Sequence, residues 1–473
     1  MSNISDLLLK ETEHAKILKC ASQIARELDT AAFIVGGSVR DVLLGKKIKD
    51  IDLMVENKSS EFSDLLAKKL NVKTVIKYEK FHTYKIPYSS IEIEIAASRK
   101  ESYNKDSRKP NEVILASVDE DLSRRDFTVN AIAASLTDNN FGDIYDPLNG
   151  ISDLNKGKLI TPKDPDITFS DDPLRMLRAI RFSTVLNFTL DENIKKSIKS
   201  QAKRIKIISF ERITAEIIKI LSCEKPSKGF YLLKELELLK YIFPELDIMP
   251  GVEAIGKHTH KDVFIHTLEV VDNAAKLTNK MEIRFAALMH DIAKPQTKKY
   301  YKNKGWTFHG HEELGKRMVK DVAKRMKISN DLRDYLMILT KLHLRPIALA
   351  KKNITDQAIR RLMYEASEYI DDLMILCRAD ITTKNKKKIE KYMGNFERVE
   401  KLMKDVKLRD EMRAFKSPVD GHVIMKTFSL KEGESVGLFK DRIEEAILDG
   451  EIKNNYDSAF DFMLKIKNEI LNH

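Results

Sequence analysis

AAFIVGGSVRDVLLGKKIKDIDLMV, residues 31–55, reads as a strand, a glycine turn that opens a helix, and a second strand. The adjacent Gly36 and Gly37 let backbone N–H groups approach a ligand closely, and the N-terminus of the helix that follows favours negative charge. Arg40, in the first turn, is placed for a bidentate phosphate contact; the plainer alternative is a tight turn with a surface arginine. GKKIKD lacks the Lys-Ser/Thr pair of a Walker loop. Asp50 and Asp52 are two apart, so both carboxylates leave one face of the strand. Two such charges repel unless a cation lies between them, and hard oxygen ligands suit Mg²⁺.

Further strand runs follow at TVIKY (74–78), HTYKIPY (82–88) and IEIEIA (91–96), and they stop near DIYDP (143–147). Glu92 and Glu94 alternate as Asp50 and Asp52 do. Glu94 is expected to complete the metal cage, with a solvent-facing strand edge as the alternative. The first 28 residues carry apolar side chains at helical spacing and read as a docking helix. After residue 170 no strand is expected. The fold class is therefore α+β, a small mixed-sheet head followed by a long all-α body.

The 473 residues suggest about three domains or more. Expected divisions are a head with its N-terminal helix (1–148), a helical neck (149–255), a histidine-rich module (256–385) and a C-terminal helical region (386–473). The lysine-rich KNKKKIEKY (384–392) reads as the connector between the last two. Lys plus Arg is 83 against 72 Asp plus Glu, and the resulting +11 points to a polyanionic partner. No apolar run approaches 18 residues, and the opening residues lack signal-peptide order. Cys20, Cys223 and Cys377 are too scattered for a disulfide framework or a zinc ribbon, so a reduced, cytoplasmic protein is expected.

In DDPLRMLRAIRF (171–182), Asp172 suits an N-cap and Pro173 a first helical position. Arg175, Arg178 and Arg181 form a cationic stripe, while Leu174, Leu177 and Ile180 can pack. Asp172 and Arg175 lie one turn apart, where they can face one nucleobase together or form an ordinary ion pair.

GG-x-VRD followed by D-x-D resembles the class II template-independent nucleotidyltransferases, a family that includes CCA-adding enzymes and bacterial poly(A) polymerases. EDLSRRDFTVNAIA (120–133), DPLNGISDLNKGKLI (146–160), DDPLRMLRAIRF and ERITAEIIKIL (211–221) continue the match in order. The resemblance implies that Asp50 and Asp52 hold Mg²⁺, that Gly36, Gly37 and Arg40 cradle a triphosphate, and that Arg125 contacts the nucleotide. It also implies that Asp172, Arg175, Arg178 and Arg181 bind and select CTP or ATP without a nucleic-acid template. Asp126 is expected to fix local structure, and Arg124 to be a surface base near RNA. AASRKESYNKDSRKPNEV (96–113) resembles the mobile loop of CCA-adding members, with Arg99, Glu101, Tyr103, Arg108 and Pro110 in family-like positions.

Seven of the eleven histidines fall between 258 and 343. FAALMHDIAKP (285–295) resembles the HD phosphohydrolase superfamily, with Ala293 where many members have glycine. His266, His290, Asp291, His311, His343 and Asp380 are the expected ligands of Mn²⁺, Fe²⁺, Ni²⁺ or Zn²⁺, and a bound water could become a hydrolytic nucleophile. His258, His260 and His309 are expected at the surface or behind the ligands. Together the resemblances imply CCA addition to the 3′ end of tRNA, with CTP and ATP as substrates and no membrane or protein partner. The alternatives are A-adding, CC-adding or poly(A) polymerase specificity, or a metal phosphohydrolase with a degenerate head.

Overall fold

The computed structural model describes residues 2–103, 110–252, 254–255, 258–259, 262–350, 355–405 and 417–471. Arg108 and His260 lie outside the described residues, as do the side chains of Glu101, Tyr103, Pro110 and His258. The chain divides into two units, Met1–Asp247 and Ile248–His473. No helix among the described residues is long and apolar enough to cross a membrane.

The first unit is built on strands β1 (Ala32–Val35), β2 (Ile51–Val55), β3 (Ile76–Tyr78), β4 (Thr83–Tyr88) and β5 (Ile91–Ala97). A hairpin of β6 (Arg99–Tyr103) and β7 (Pro110–Leu115) stands apart, and β8 (Ala133–Ser135) and β9 (Ile144–Tyr145) complete the set. The seven-stranded sheet runs β3-β4-β5-β2-β1-β8-β9, and only β2 and β5 pair in parallel. Ile51, Leu53, Val55, Ile93 and Ile95 point into the main core, with Ile17, Leu18, Phe62 and Leu66 from helices Thr12–Glu27 and Ser59–Lys69. Met54 and Val35 join a smaller core with Val118 and Leu122. Because side chains alternate along a strand, Asp52 shares Met54's side of the sheet, away from the main core.

Helix Leu174–Leu186 begins the neck and buries Leu174, Leu177 and Ile180 as their spacing predicts. Helices Phe210–Leu221 and Ser227–Glu235 pack on it. The second unit gathers helices Val263–Leu277, Met281–Met289, His311–Met326, Asn330–Leu342 and Ile370–Ala379 around Leu268, Phe285, Leu288, Leu339 and Leu376. Helix Lys386–Asp405 follows. Helices Gly421–Phe428, Glu434–Leu448 and Tyr456–Lys465 then close over their own core of Ile424, Phe439, Ile443 and Met463.

The described ends of the 96–113 segment pair as an antiparallel hairpin. Two expectations are corrected. The N-terminal helix is two, Ser5–Leu8 and Thr12–Glu27. Strands do occur beyond residue 170. Thr189–Leu190 pairs in parallel with Lys158–Leu159, and Lys299–Tyr301 forms a hairpin with Gly305–Thr307. Gly305 takes φ +74° there, and the Tyr300 and Trp306 rings meet edge to face at 5.3 Å. Such two- and three-residue strands are too short to leave a periodic signature.

Gly150, at the start of helix Gly150–Lys156, is a close-approach position. A Cβ there would lie 2.3 Å from the Thr128 carbonyl oxygen. Gly150→Ala should therefore push the Thr128–Asn130 turn away and destabilise the first unit by about 1–3 kcal/mol. A thermal melt of the variant matching the wild type would refute this packing account.

Candidate active site

Strand β1 ends at Gly36, whose φ of +68° favours glycine. A Cβ on Gly36 would stand 2.8 Å from Arg125 Nη1 and 3.9 Å from Asp52 Oδ2, so the turn, the arginine and the carboxylate meet at one point. Ser38 fastens the turn to β2. Its hydroxyl donates to the Asp50 carbonyl (3.0 Å) and accepts the Asp52 N–H (3.2 Å).

Asp52 lies in register with Glu94 across the parallel β2–β5 pair, and Asp50 Oδ1 accepts the Glu92 N–H at 3.4 Å. Lys85 of β4 bridges Glu92 (2.5 Å) and Glu94 (3.3 Å). Burial first, then Glu94, pushes the Asp52 carboxyl up to about 6, and Arg125 opposes the rise. Burial and a like-charged neighbour both disfavour the ionised form. Among the described residues the head carboxylates form no group of three with ligand atoms within 4.8 Å of one another, so their arrangement is open.

The arginines are more committed than their sequence suggests. Arg40 is buried rather than a surface arginine, and its guanidinium donates to Asn130 Oδ1 (2.6 Å) and Asp41 Oδ1 (2.8 and 2.9 Å). Arg124 is likewise no free surface base. It pairs with the buried Asp121 at 2.5 Å and donates to the Arg99 carbonyl at 2.8 Å. Arg125 shares the same carboxylate at 3.1 Å.

Asp126 does fix local structure. Its carboxylate accepts from Phe127 N–H (2.9 Å), Asn130 Nδ2 (3.0 Å) and Arg178 Nε (2.7 Å). Burial alone would raise it, but Arg178, Asn130 and Arg175 bring it down to about 2.

Asp172 caps helix Leu174–Leu186 through the Leu174 N–H (3.1 Å), and its other oxygen faces Arg212 at 3.4 Å. Arg175 instead donates to the Arg124 carbonyl at 2.6 Å. The Asp172 and Arg175 side chains thus take separate partners. Arg181 Nε lies 3.0 Å from Glu216, and burial pulls Arg181 down to about 10 against that carboxylate. The guanidinium groups of Arg40, Arg178 and Arg181 surround the Phe182 ring at 5.2, 5.3 and 4.2 Å. Ser38, Asp121, Asn130, Arg212 and Glu216 all lie within the motif segments quoted above, where the sequence alone assigns them no individual role.

In the second unit, all six expected ligands converge. His266 Nε2 lies 3.0 Å from Asp380 and 3.4 Å from Asp291, and His290 Nε2 lies 3.1 Å from Asp291. His311 and His343 Nε2 approach the other Asp291 oxygen at 3.4 and 3.7 Å and each other at 3.3 Å. Each Nδ1 of His290, His311 and His343 sits 2.7 Å from a backbone carbonyl, to which it donates, so that Nε2 is the nitrogen turned inward. His290 Nε2 and Asp291 Oδ1 are buried without a hydrogen bond. Burial would raise Asp291, yet His290 and Lys294 hold it well below the usual carboxylate range. Lys294, missed in the sequence, places Nζ 2.6 Å from Asp291. The mixed imidazole and carboxylate donors, with inward lone pairs and orphaned buried atoms, fit a transition metal. His309 is exposed, as expected.

Comparison with known proteins gives three family matches: the poly(A) polymerase head domain over residues 32–160, the probable RNA and SrmB-binding site of polymerase A over 187–249, and the HD domain over 263–385. The multifunctional CCA protein of Tolumonas auensis is 32% identical over 365 residues, covering 74% of this chain and 83% of that protein. That of Pseudoalteromonas atlantica is 32% identical over 359 residues, with coverage of 74% and 84%. The fold is similar to the Bacillus stearothermophilus CCA-adding enzyme in complex with CTP (TM-score 0.63, 21% identity, 97% of this chain and 98% of that one). It is also similar to the Thermotoga maritima CCA-adding enzyme complexed with tRNA (TM-score 0.58, 19% identity, 98% of each).

Asp126 yields a pH-dependent prediction. Its folded carboxyl titrates near 2 rather than 3.8, so the stabilisation is fully present above the unfolded value and is lost as pH falls toward the folded one. Asp126→Asn should cost about 2 kcal/mol in urea unfolding at pH 7, and that deficit should be roughly halved at pH 3. An equal deficit at both pH values would show that the charge is not the stabilising feature.

Proposed function

Since the chain belongs to the multifunctional CCA protein family, built on a poly(A) polymerase head, we propose that it adds C, C and A to the 3′ end of tRNA from CTP and ATP without a template. The observation that carries this reading is the meeting of Gly36, Arg125 and Asp52, with Glu94 in register beside Asp52. Asp50, Asp52 and Glu94 would hold Mg²⁺, which neutralises the triphosphate and activates the attacking hydroxyl. Gly36 shapes the turn, its own N–H held by the Ile132 carbonyl at 3.0 Å, Gly37 offers its backbone N–H to the phosphates, and Arg125 meets the nucleotide. The Arg40–Asn130 bond stiffens the glycine turn from behind. Asp172 and Arg175 present acceptor and donor edges to the base, steadied by Arg212 and the Arg124 carbonyl. Arg178 and Arg181 supply positive potential from within their ion pairs. The 3′-hydroxyl then gives its proton to solvent as its oxygen bonds to the α-phosphorus, the bond from the α-phosphorus to the bridging oxygen breaks, and pyrophosphate leaves.

In the second unit, His266, His290, Asp291, His311, His343 and Asp380 would hold Mn²⁺, Fe²⁺, Ni²⁺ or Zn²⁺ and hydrolyse phosphate esters. The divisions near 148, 255 and 385, tRNA held largely through its phosphates, and a cytoplasmic setting belong to the same reading. The main assay is incubation with tRNA lacking its CCA end, using CTP alone, ATP alone and both. Incorporation of two C residues and one A only when both are supplied separates this activity from CC-adding, A-adding and poly(A) specificities.

Asp50→Ala or Asp52→Ala should lower nucleotide addition by about a thousandfold or more while sparing tRNA binding, because a lost metal ligand removes several kcal/mol of transition-state stabilisation. Near-normal incorporation by either variant would sink the assignment of the head. Replacing His290 and Asp291 together with Ala should abolish bound transition metal, measured by mass spectrometry, while CCA addition in Mg²⁺ persists. Wild-type protein that takes up no transition metal on reconstitution would overturn the assignment of the second centre.

A further inference from the structure

The lysine-rich KNKKKIEKY, read from the sequence as a connector, runs into the first two turns of helix Lys386–Asp405. Lys388, Tyr392, Asn395 and Phe396 stand at i, i+4, i+7 and i+8, one face of that helix. The face lines a cavity of about 420 Å³ whose wall also includes the ligands His266 and Asp380. The helix is fastened in this position. Arg378, two residues before Asp380, pairs with Glu400 at 2.8 Å and lies over the Phe396 ring at 5.9 Å, and Arg398 donates to the Ala350 carbonyl. Phe396 is buried, whereas Tyr392 is 39% exposed and Lys388 is open to solvent. The HD match ends at residue 385, so this wall lies just beyond the part of the chain that resembles the superfamily.

The cavity is within the range of small-molecule sites, about 300–1,000 Å³, and cannot admit a folded RNA. Its chemistry is divided along the helix, with a cation on a flexible stem, an accessible aromatic ring one turn on, and an amide beyond that. We infer that Lys388, Tyr392 and Asn395 form the substrate-selecting wall of the His/Asp centre, receiving a phosphate ester that carries one flat ring. That chemistry belongs to a free mononucleotide or to the terminal nucleotide of a single RNA strand. Lys388 meets the phosphate, Tyr392 stacks on the ring and Asn395 bonds its edge. The inference rests on the hydrolytic reading of that centre. In that reaction water adds to phosphorus, the P–O ester bond breaks, and the alcohol leaves with a proton as phosphate is released.

The test uses full-length protein loaded with Mn²⁺ or Ni²⁺. Its substrates are adenosine 5′-monophosphate, glycerol 2-phosphate and an oligoribonucleotide ending in a 3′-phosphate. Lys388→Ala should raise KM about fivefold or more for every substrate, with kcat within about twofold. Tyr392→Ala should do so for the two ring-bearing substrates and leave glycerol 2-phosphate unchanged, with Tyr392→Phe restoring the wild-type KM. Lys391→Ala, on the exposed side of the helix, is the control. The ring-bearing substrate with the lower KM identifies the source. Unchanged KM in both alanine variants overturns the wall. If metal-loaded wild type hydrolyses none of the three, the hydrolytic reading fails instead. The wall is then judged by adenosine 5′-monophosphate affinity of wild type against Lys388→Ala and Tyr392→Ala, the head being common to all three, and equal affinity across them refutes it.

Discussion

The buried carboxylate of Asp126 is the interaction on which the first unit's site depends. It takes Arg178 from helix Leu174–Leu186 and the side-chain amide of Asn130 from the head, and Asn130 in turn accepts from Arg40 behind the glycine turn. One chain of charge-assisted bonds therefore runs from the neck helix to the loop proposed to cradle phosphate. A buried charge with these partners is rigid, because removing any member leaves another unpaired in a low-dielectric setting. The Phe182 ring, ringed by Arg40, Arg178 and Arg181, gives the same arginines an apolar face to lie on.

Against that neutralised scaffold, two places stay electrostatically unfinished. In the head, Asp52 is crowded by Glu94 and Asp50 with only partial relief from Arg125 and Lys85. In the second unit, four imidazoles and two carboxylates converge, and buried atoms of His290 and Asp291 lack hydrogen bonds. The donor sets differ: oxygen only in the first, mixed nitrogen and oxygen in the second. Hard and borderline metals sort between such sets by ligand chemistry. The two proposed metal-dependent reactions would thus not compete for the same ion.

In the proposed second centre, the family core and the selecting wall come from different stretches of chain. The ligands arise between residues 266 and 380, yet the cavity beside them is lined from Lys386–Asp405. A helix packed by Phe396 and tied by Arg378–Glu400 can vary its exposed positions without disturbing the ligands. Selectivity is then free to change while the metal cage stays intact.

By itself the sequence determined the class of fold, the order of the motifs and most of the residues that meet at the two centres. Alternation in DIDLMV and IEIEIA identified the carboxylate face, and helical spacing identified Leu174, Leu177 and Ile180 as core, because both are local periodicities that burial imposes. Tertiary structure decided how those residues are partnered. Arg40 turns inward to Asn130, Arg124 to Asp121, and Asp172 faces Arg212 rather than Arg175. Those partners lie between 3 and 90 residues away. Only folding brings the distant ones together, and no spacing rule chooses among several carboxylates for one guanidinium. The same limit hid the short hairpin at Lys299–Thr307 and the role of KNKKKIEKY. A charged face reads identically whether it lies in solvent or lines a cavity, until the opposite wall is known.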